Sequence, residues 1–280
     1  MTTPYSEAVQ TAREYYNSED ADNFYYIVWG GGEDIHVGLY ESDTEPIADA
    51  SRRTVRHMAS KISNVGKDTR VLDIGAGYGG SMRHLAKTHG CKCVALNLSE
   101  VENQRNRQNN REQGLDQLID VVDGDFTNLP YEDGSFDVVW SQDAILHSGD
   151  REKVLREVAR VLKSGGQFVF TDPMQADDCP AGVLAPILER IHLDTLGSPA
   201  FYREQAGKLG MVEVEFEDLS HQLTNHYSRV LKELEQREGE LRDKQISSDY
   251  IARMKKGLNH WIDGGRQGHL AWGIFHFRKP

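Results

Sequence analysis

Three glycines at alternate positions follow an acidic residue at the end of an apolar stretch, in the run Val71-Leu72-Asp73-Ile74-Gly75-Ala76-Gly77-Tyr78-Gly79-Gly80. The apolar half predicts a β-strand, and the glycines allow a sharp turn in which backbone amides approach a ligand closely. If a helix begins after the turn, its N-terminal amides and its dipole favour polar or anionic groups. The spacing satisfies GxGxxG, which is typical of dinucleotide sites, and also D-x-G-x-G-x-G, which is typical of S-adenosylmethionine sites. A glycine-rich turn that binds nothing is the third interpretation.

Residues after the next two predicted strands discriminate between the two cofactors. Asn97 stands where both cofactor classes usually place an acid that holds ribose hydroxyls, although an amide still offers an acceptor and a donor. Asp125-Phe126 follows the third predicted strand and is similar to the class I methyltransferase pattern, in which an acid caps the adenine amino group and an apolar residue packs on the ring. This pattern has no counterpart in dinucleotide sites, so the sequence favours S-adenosylmethionine.

A carboxylate and an imidazole lie four residues apart at the end of the fourth predicted strand, in Trp140-Ser141-Gln142-Asp143-Ala144-Ile145-Leu146-His147. Open α/β sheets bind ligands at the carboxyl ends of their strands. If this segment turns helically, Asp143 and His147 face the same cleft. We interpret Asp143 as a carboxylate near a cationic centre and His147 as a group that orients or deprotonates an acceptor. A loop carboxylate and a packed histidine are the alternative.

An aromatic run near the N-terminus, Phe24-Tyr25-Tyr26-Ile27-Val28-Trp29, ends in Gly30-Gly31-Gly32. One interpretation is a packed N-terminal arm. The other is a lid that places aromatic faces over a cationic ligand and is hinged at the glycines.

Apolar runs alternate with amphipathic segments, which predicts a parallel sheet covered on both faces. The predicted strands are 69–74, 91–96, 119–123, 135–141 and 167–171, with two more at 211–219 and 270–277. We expect one domain over 1–280: a lid at 1–45, a cofactor-binding core at 46–172, a substrate cover at 173–264 and a closing strand at 265–280.

The composition favours an enzyme of small molecules. Acids outnumber bases 44 to 32, giving a net charge of −12 in 280 residues, which repels nucleic-acid phosphate and anionic lipid. We expect no nucleic-acid partner and no membrane span, because no run of about 18 apolar residues occurs. The N-terminus lacks a signal peptide, and Cys91, Cys93 and Cys179 fit no disulfide or zinc spacing. We therefore expect a cytoplasmic protein without a metal. The oligomeric state does not follow from the sequence.

Long strings of the chain resemble the sarcosine/dimethylglycine N-methyltransferases, and the 141–147 segment also resembles the more distant phosphoethanolamine N-methyltransferases. The strings are 24–31, 33–36, 72–80, 140–147, 170–175, 190–193, 225–227, 257–261 and 272–274. The resemblance implies a Rossmann-like class I methyltransferase sheet of seven strands, the last antiparallel. It also implies an N-terminal helical and aromatic lid, and a helical insertion after strand five.

The resemblance further implies methyl transfer from S-adenosylmethionine to the nitrogen of dimethylglycine, with sarcosine as an earlier acceptor, to form the osmoprotectant glycine betaine. Other small-amine methyltransferases, acting on glycine or a phosphobase, remain alternatives. Sparse lysine and arginine in 172–230 argue against the phosphobase. A nicotinamide oxidoreductase and a regulator that binds the cofactor without chemistry are the remaining alternatives.

The resemblance implies three sets of site residues. The expected catalytic residues are Asp143, His147 and a lid tyrosine that pairs with His147; Tyr16 and Tyr26 are preferred, with Tyr15 and Tyr25 as further candidates. The expected cofactor-binding residues are Trp29, His36, Val37, Asp73, Gly75, Ala76, Gly77, Asn97, Leu98, Gln104, Asp125, Phe126 and Gln142. The expected substrate-binding residues are Tyr25, Tyr26, Asp143, Met174, Arg190, His192, His221 and Tyr227, with Arg229 as a further candidate for the substrate carboxylate.

Overall fold

A seven-stranded sheet forms the centre of the computed structural model, which describes residues 7–30 and 33–280. In chain order the strands are β1 (Arg70–Ile74), β2 (Lys92–Asn97), β3 (Ile119–Asp123), β4 (Phe136–Gln142), β5 (Leu162–Thr171), β6 (Met174–Gln175), β7 (Val212–Asp218), β8 (Leu270–Ala271) and β9 (Gly273–Arg278). The sheet order is β3-β2-β1-β4-β5-β9-β7, and β6 pairs with β8 separately. Strands β1 to β5 are parallel, whereas β9 is antiparallel to both β5 and β7. This confirms the predicted fold class.

Helices cover both faces of the sheet. They are α1 (Glu7–Tyr16), α2 (Glu19–Val28), α3 (Ile47–Lys61), α4 (Gly80–His89), α5 (Glu100–Glu112), α6 (Arg151–Val161), α7 (Ala185–Ile191), α8 (Pro199–Lys208), α9 (Ser220–Gln236), α10 (Glu238–Asp243) and α11 (Ser248–Arg266). Successive side chains of a strand point to opposite faces. Val138 and Trp140 therefore pack with α3 and α4, whereas Val139 packs with α6 and α8. The central strands, such as β4, are apolar on both sides because each side is covered, whereas the edge strand β7 is largely exposed.

The α6–β5 junction differs from the prediction. Gly165 and Gly166 are a local helix-stop signal just before the predicted strand at 167–171, but α6 ends at Val161 and β5 begins at Leu162, which pairs with Phe136. The glycines lie inside the strand, where Gly165 donates its N–H to the carbonyl of Lys279. Long-range pairing with the C-terminal segment overrides the local helix-stop signal.

The aromatic run near the N-terminus is helical. It forms the second half of α2, which is capped by Ser18 through a hydrogen bond to the Ala21 N–H. Phe24 is fully buried against apolar side chains of α9 and α11, such as Val230 and Ile251. The helix is thus anchored to the segment after β5. Gly31 and Gly32 of the expected hinge lie outside the described residues.

Among residues 7–30 and 33–280, none of the helices has both the length and the apolar character needed to cross a bilayer. Cys91 and Cys93 are free and buried, and Cys179 is free and partly exposed.

Candidate active site

Two adjoining cavities open at the carboxyl ends of the central strands. The larger has a volume of about 240 Å³ and the smaller about 100 Å³. Four residues line both cavities: Tyr16, Ile35, Asp143 and His147. The two cavities therefore meet at the carboxylate and the imidazole that the sequence singled out. A group transferred between ligands in the two cavities would pass this junction.

The glycine-rich turn forms one wall of the smaller cavity. Gly75 has a φ of +92°, and a Cβ atom there would come within 2.3 Å of the Ala144 Cβ. Any other residue would be strained and would push the turn away from the end of β4. Gly77, with a φ of +50°, lines the same cavity.

Polar atoms at this wall are left without a protein partner. The Gln142 Oε1 accepts hydrogen bonds from the Ser81 hydroxyl at 2.5 Å and the Trp140 Nε1 at 3.0 Å. These bonds fix the amide, and its Nε2 is buried with no partner among the described residues. Asp73 does not line the cavity itself, but its Oδ1 is likewise buried without a partner, and burial raises its pKa to about 7. Buried polar groups normally have partners, so this wall is built for a polar ligand.

Another part of the smaller cavity's lining combines a ring with acceptors. Phe126 and Asp125 both line it, and the Asp125 carboxylate accepts hydrogen bonds from the amide and the hydroxyl of Thr127, at 2.8 and 2.7 Å. Asn97 donates its side-chain N–H to Glu102 at 2.8 Å, and Glu102 also lines the cavity.

Glu102 is a residue that the sequence analysis missed. It is buried in the first turn of α5, five positions after Asn97. It supplies the carboxylate that was expected at Asn97 itself. An acid in the first turn of the helix after β2 was the available signal.

Asp143 is held rigidly at the junction. Its φ is +52°, in the left-handed region that few residues other than glycine adopt. One carboxylate oxygen accepts the Val37 N–H at 2.7 Å, and the other accepts the Trp272 indole N–H at 2.8 Å. Burial raises the pKa of Asp143, while these hydrogen bonds and nearby His36 oppose that rise. Backbone strain of this kind concentrates at functional sites.

His147 ends a short 3-10 helix, Ile145–His147, and meets the lid helix α1. The Tyr16 hydroxyl lies 2.9 Å from its Nε2. Burial lowers the pKa of His147 to about 4, and burial raises the pKa of Tyr16 well above its ordinary value. At neutral pH the imidazole is uncharged and the phenol is protonated, so the tautomer of the ring decides which of the two donates.

Aromatic rings, together with aliphatic side chains, line the larger cavity. The tyrosines and tryptophans are Tyr15, Tyr16, Tyr25, Trp29, Tyr227 and Trp261. Arg190 is the only arginine or lysine among the described residues that line it. Its guanidinium makes no salt bridge within the described chain and contacts the Met254 sulfur at 2.8 Å. A Cβ at Gly257 would lie 2.3 Å from the Arg190 Nε, so this glycine provides the space for the guanidinium.

Most of the expected site residues line one cavity or the other, although two that were expected at the cofactor line the larger cavity. Trp29 and Val37, expected at the cofactor, line the larger cavity together with His192. His36 and Leu98 line the smaller one. His36 is buried, 3.7 Å from the Asp34 carboxylate. Burial opposes its protonation, but the carboxylates of Asp34 and its neighbours outweigh this and raise its pKa.

Several expected residues do not line either cavity. Besides Asp73, they are Tyr26, Ala76, Gln104, Met174 and His221. Tyr26 is 47% exposed with Arg105 over its ring, because Tyr25 and Tyr26 point about 100° apart on α2 and only one can face inward. Gln104 and His221 are exposed on their helices, whereas Ala76 and Met174 are buried.

Arg229, the other candidate for the substrate carboxylate, also lies outside the larger cavity and pairs with Glu233 at 2.7 Å. No group of three or more metal-ligating side chains forms within the described part of the chain.

Comparison with known proteins identifies the family. The family model for a methyltransferase domain matches residues 72–170. The chain is 64% identical over its whole length to a sarcosine/dimethylglycine N-methyltransferase from Halorhodospira halochloris, and covers all of it. It is 58% identical to a sarcosine/dimethylglycine N-methyltransferase from Aphanothece halophytica, over 96% of each chain. The chain belongs to the sarcosine/dimethylglycine N-methyltransferases.

The fold agrees with this membership. A crystal structure of a protein from Galdieria sulphuraria, provisionally assigned as a sarcosine dimethylglycine methyltransferase, superposes with a TM-score of 0.89 at 44% identity, over 95% of this chain and 98% of that one. This member of the family is an enzyme, and S-adenosylmethionine is its cofactor. The smaller cavity fits that cofactor chemically. It offers an unpaired amide donor at Gln142, an apolar ring at Phe126, and carboxylates at Asp125 and Glu102.

Proposed function

We propose that this methyltransferase methylates the nitrogen of dimethylglycine, and of sarcosine before it, to form glycine betaine, an osmoprotectant. The observation that carries the proposal is the larger cavity, which combines aromatic rings, one carboxylate and one unpaired arginine. A cationic amine fits the rings and the carboxylate, and an acidic group fits the arginine. An N-methylated amino acid has both.

We infer that the smaller cavity holds S-adenosylmethionine, which when bound supplies an electrophilic methyl group. Phe126 and Asp125 would hold the adenine, and Asn97 and Glu102 the ribose hydroxyls. The turn at Gly75 and Gly77 would carry the methionine end. The residues that would support this end are His36, Asp73, Ala76, Leu98 and Gln142, and Val37 would line its approach from the larger cavity.

The amine nitrogen is placed at the junction of the two cavities. The nitrogen needs a free lone pair, and an uncharged His147 does not repel the positive charge that forms on it. The Asp143 carboxylate and the rings of Tyr25 and Tyr16 favour that charge, each cation–π contact contributing roughly 0.5–2 kcal/mol. Dimethylglycine has no proton to lose after transfer. When dimethylglycine enters as the free amine, having left its ammonium proton to solvent, a weakly basic imidazole of pKa about 4 is therefore sufficient for this acceptor.

The carboxylate of the acceptor is placed at Arg190, whose guanidinium can form two parallel hydrogen bonds with it. His192, two positions after Arg190, and Tyr227 line the same cavity. Burial raises the pKa of Tyr227. The charge of Asp143 adds to this rise, and the charge of Arg190 opposes it. Tyr227 thus lies within the fields of both charges, as expected for a residue between the two ends of an amino acid.

We also propose that residues 1–45 act as a lid over the core at 46–172, that 173–264 form the substrate cover, and that 265–280 close the sheet. Helix α1 is tied to the start of α5. Arg13 pairs with Glu100, and the Asn17 side chain donates to Glu100 at 2.7 Å and accepts from the Ser99 hydroxyl at 2.8 Å. Such a lid would exclude water and hold the reactants in line.

The test uses methyl-labelled S-adenosylmethionine with glycine, sarcosine, dimethylglycine or phosphoethanolamine as separate acceptors. We expect labelled glycine betaine from dimethylglycine, and both labelled dimethylglycine and betaine from sarcosine. Label only in the products of glycine or of phosphoethanolamine would refute the assignment.

A further inference from the structure

His226 contributes a ring to the larger cavity that the reaction described above does not use. It lies on α9, is 2% exposed, and lines this cavity. Its Nδ1 accepts the main-chain N–H of Gly38 at 3.2 Å, and the Tyr40 hydroxyl lies 2.9 Å from the same atom. Both partners belong to the segment between α2 and α3.

These hydrogen bonds fix the tautomer of the imidazole. A main-chain N–H can only donate, so the Nδ1 of His226 carries a lone pair. Burial, together with the nearby charge on His36, lowers the pKa of His226 to about 3, so the ring is neutral. The single ring proton therefore resides on Nε2. That atom makes no hydrogen bond with any described residue.

A second donor without a partner lies beside it. The Trp29 indole is 5% exposed, and its Nε1 is buried without a hydrogen bond to any of the residues described. The centroids of the Trp29 and His226 rings are 5.4 Å apart. Both rings line the larger cavity and neither lines the smaller one. Two N–H donors thus stand unpaired at the larger cavity, and a buried donor such as the Trp29 Nε1–H normally has a partner.

We propose that His226, through its Nε2–H, and Trp29, through its Nε1–H, bind the carboxylate of the acceptor together with Arg190, and so select amino acids over amines that lack a carboxylate. This inference rests on the proposed function. A carboxylate has about four lone-pair sites, of which a bidentate arginine uses two. Two further N–H donors complete the set. Neither donor can accept a hydrogen bond from an ammonium group, so this wall does not suit the amine end.

The test measures binding of two quaternary ammonium ligands by calorimetry, with S-adenosylhomocysteine present. Glycine betaine has a carboxylate, and tetramethylammonium does not. His226→Asn keeps an oxygen near the position of Nδ1 but removes the Nε2 donor, whereas His226→Gln keeps an N–H near Nε2. We expect His226→Asn to weaken betaine binding about tenfold, as for a lost hydrogen bond to a charged group. Tetramethylammonium binding should stay within about twofold, and His226→Gln should restore part of the betaine affinity.

Tyr40→Phe is the matched control, because it removes one hydrogen bond that holds the ring but leaves the Nε2 donor in place. It should bind both ligands like the wild type, and S-adenosylhomocysteine affinity should be unchanged in all three variants. Unchanged betaine binding in His226→Asn overturns the inference. So does an equal loss for both ligands, or an equal loss in Tyr40→Phe, since each would show a structural role. A wild type that binds tetramethylammonium but not betaine would instead refute the proposed acceptor, and the inference with it.

Discussion

The hydroxyl of Tyr16 lies 2.9 Å from the Nε2 of His147, although the two residues are 131 positions apart in the chain. Tyr16 is at the end of the first described helix, and His147 follows β4 at the junction of the two cavities. Both side chains line both cavities. This single hydrogen bond therefore couples the position of helix α1 to the junction of the two cavities.

Tyr16→Phe removes this coupling and keeps the ring. We expect kcat/KM for dimethylglycine to fall about tenfold, the cost of one buried hydrogen bond. Initial rates with labelled cofactor measure it. Tyr26→Phe is the control, because Tyr26 is exposed and lies outside both cavities. Equal losses in the two variants would show that the effect is general to the lid.

His147→Gln tests the neutral imidazole. Because the pKa of His147 is about 4, the ring keeps the same charge throughout the neutral range. A plot of wild-type kcat against pH, measured at saturating dimethylglycine, should therefore show no inflection at about pH 6.5, the pKa of an ordinary histidine. His147→Gln should lower kcat at least about tenfold and leave the profile shape and S-adenosylhomocysteine affinity unchanged. An inflection near pH 6.5 that disappears in His147→Gln would contradict this account.

Arg190→Met tests the carboxylate anchor. We expect KM for dimethylglycine to rise about 10- to 100-fold, because a charge-assisted pair is lost, with a smaller effect on kcat. Gly257→Ala should raise KM in the same direction while keeping the charge, since the added Cβ would lie 2.3 Å from the Arg190 Nε. Gly239→Ala, on an exposed helix with open space around it, is the matched control. If Gly257→Ala behaves like Gly239→Ala, Arg190 is not held where the structure places it.

The sequence predicted the elements with strong local signals. The glycine-rich turn, the alternating strands and the Asp143–His147 pair all lie where the pattern indicated. The backbone conformation that brings the pair together nevertheless differs from the predicted one. The spacing of four suggested one helical turn, but the structure uses a strained residue followed by a short 3-10 helix. The two side chains meet the same cavities because tertiary contacts hold the segment, not because of helical periodicity.

What the sequence did not resolve depends on packing between distant segments. Tyr15, Tyr16, Tyr25 and Tyr26 were all candidates for the lid tyrosine. Only the docking of α1 and α2 against the core distinguishes them, and no local signal encodes that docking. Glu102 was missed for a similar reason. The carboxylate lies at the start of α5 and not at the end of β2, where the sequence has only Asn97, and the hydrogen bond between the two side chains is visible only in the structure. The structure distinguishes Arg190 from Arg229 because Arg229 pairs with Glu233, whereas Arg190 has no acidic partner among the described residues.

Asp172 holds the 3-10 helix in place and makes stability depend on pH. One carboxylate oxygen accepts the Leu146 N–H at 2.9 Å, and the other accepts the Tyr202 hydroxyl at 2.6 Å. Burial raises the pKa of Asp172 to about 7, although these two hydrogen bonds oppose the rise. In the unfolded chain an aspartate has a pKa of about 3.9. The folded state therefore binds a proton that the unfolded state releases between these two values.

The sign of the effect follows from this difference. The contribution of Asp172 to stability is fully present below about pH 3.9 and is lost as pH rises to about 7, by up to roughly 4 kcal/mol. Asp172→Asn keeps an oxygen for the Leu146 N–H and cannot ionise. We expect its free energy of unfolding, from urea titrations at a series of pH values, to fall less than that of the wild type between pH 4 and 7 (the window set by about 3.9 and about 7). Asp116→Asn, on an exposed turn, should keep the wild-type slope. Identical slopes in the wild type and Asp172→Asn would show that the Asp172 carboxyl is already ionised in the folded protein below pH 7.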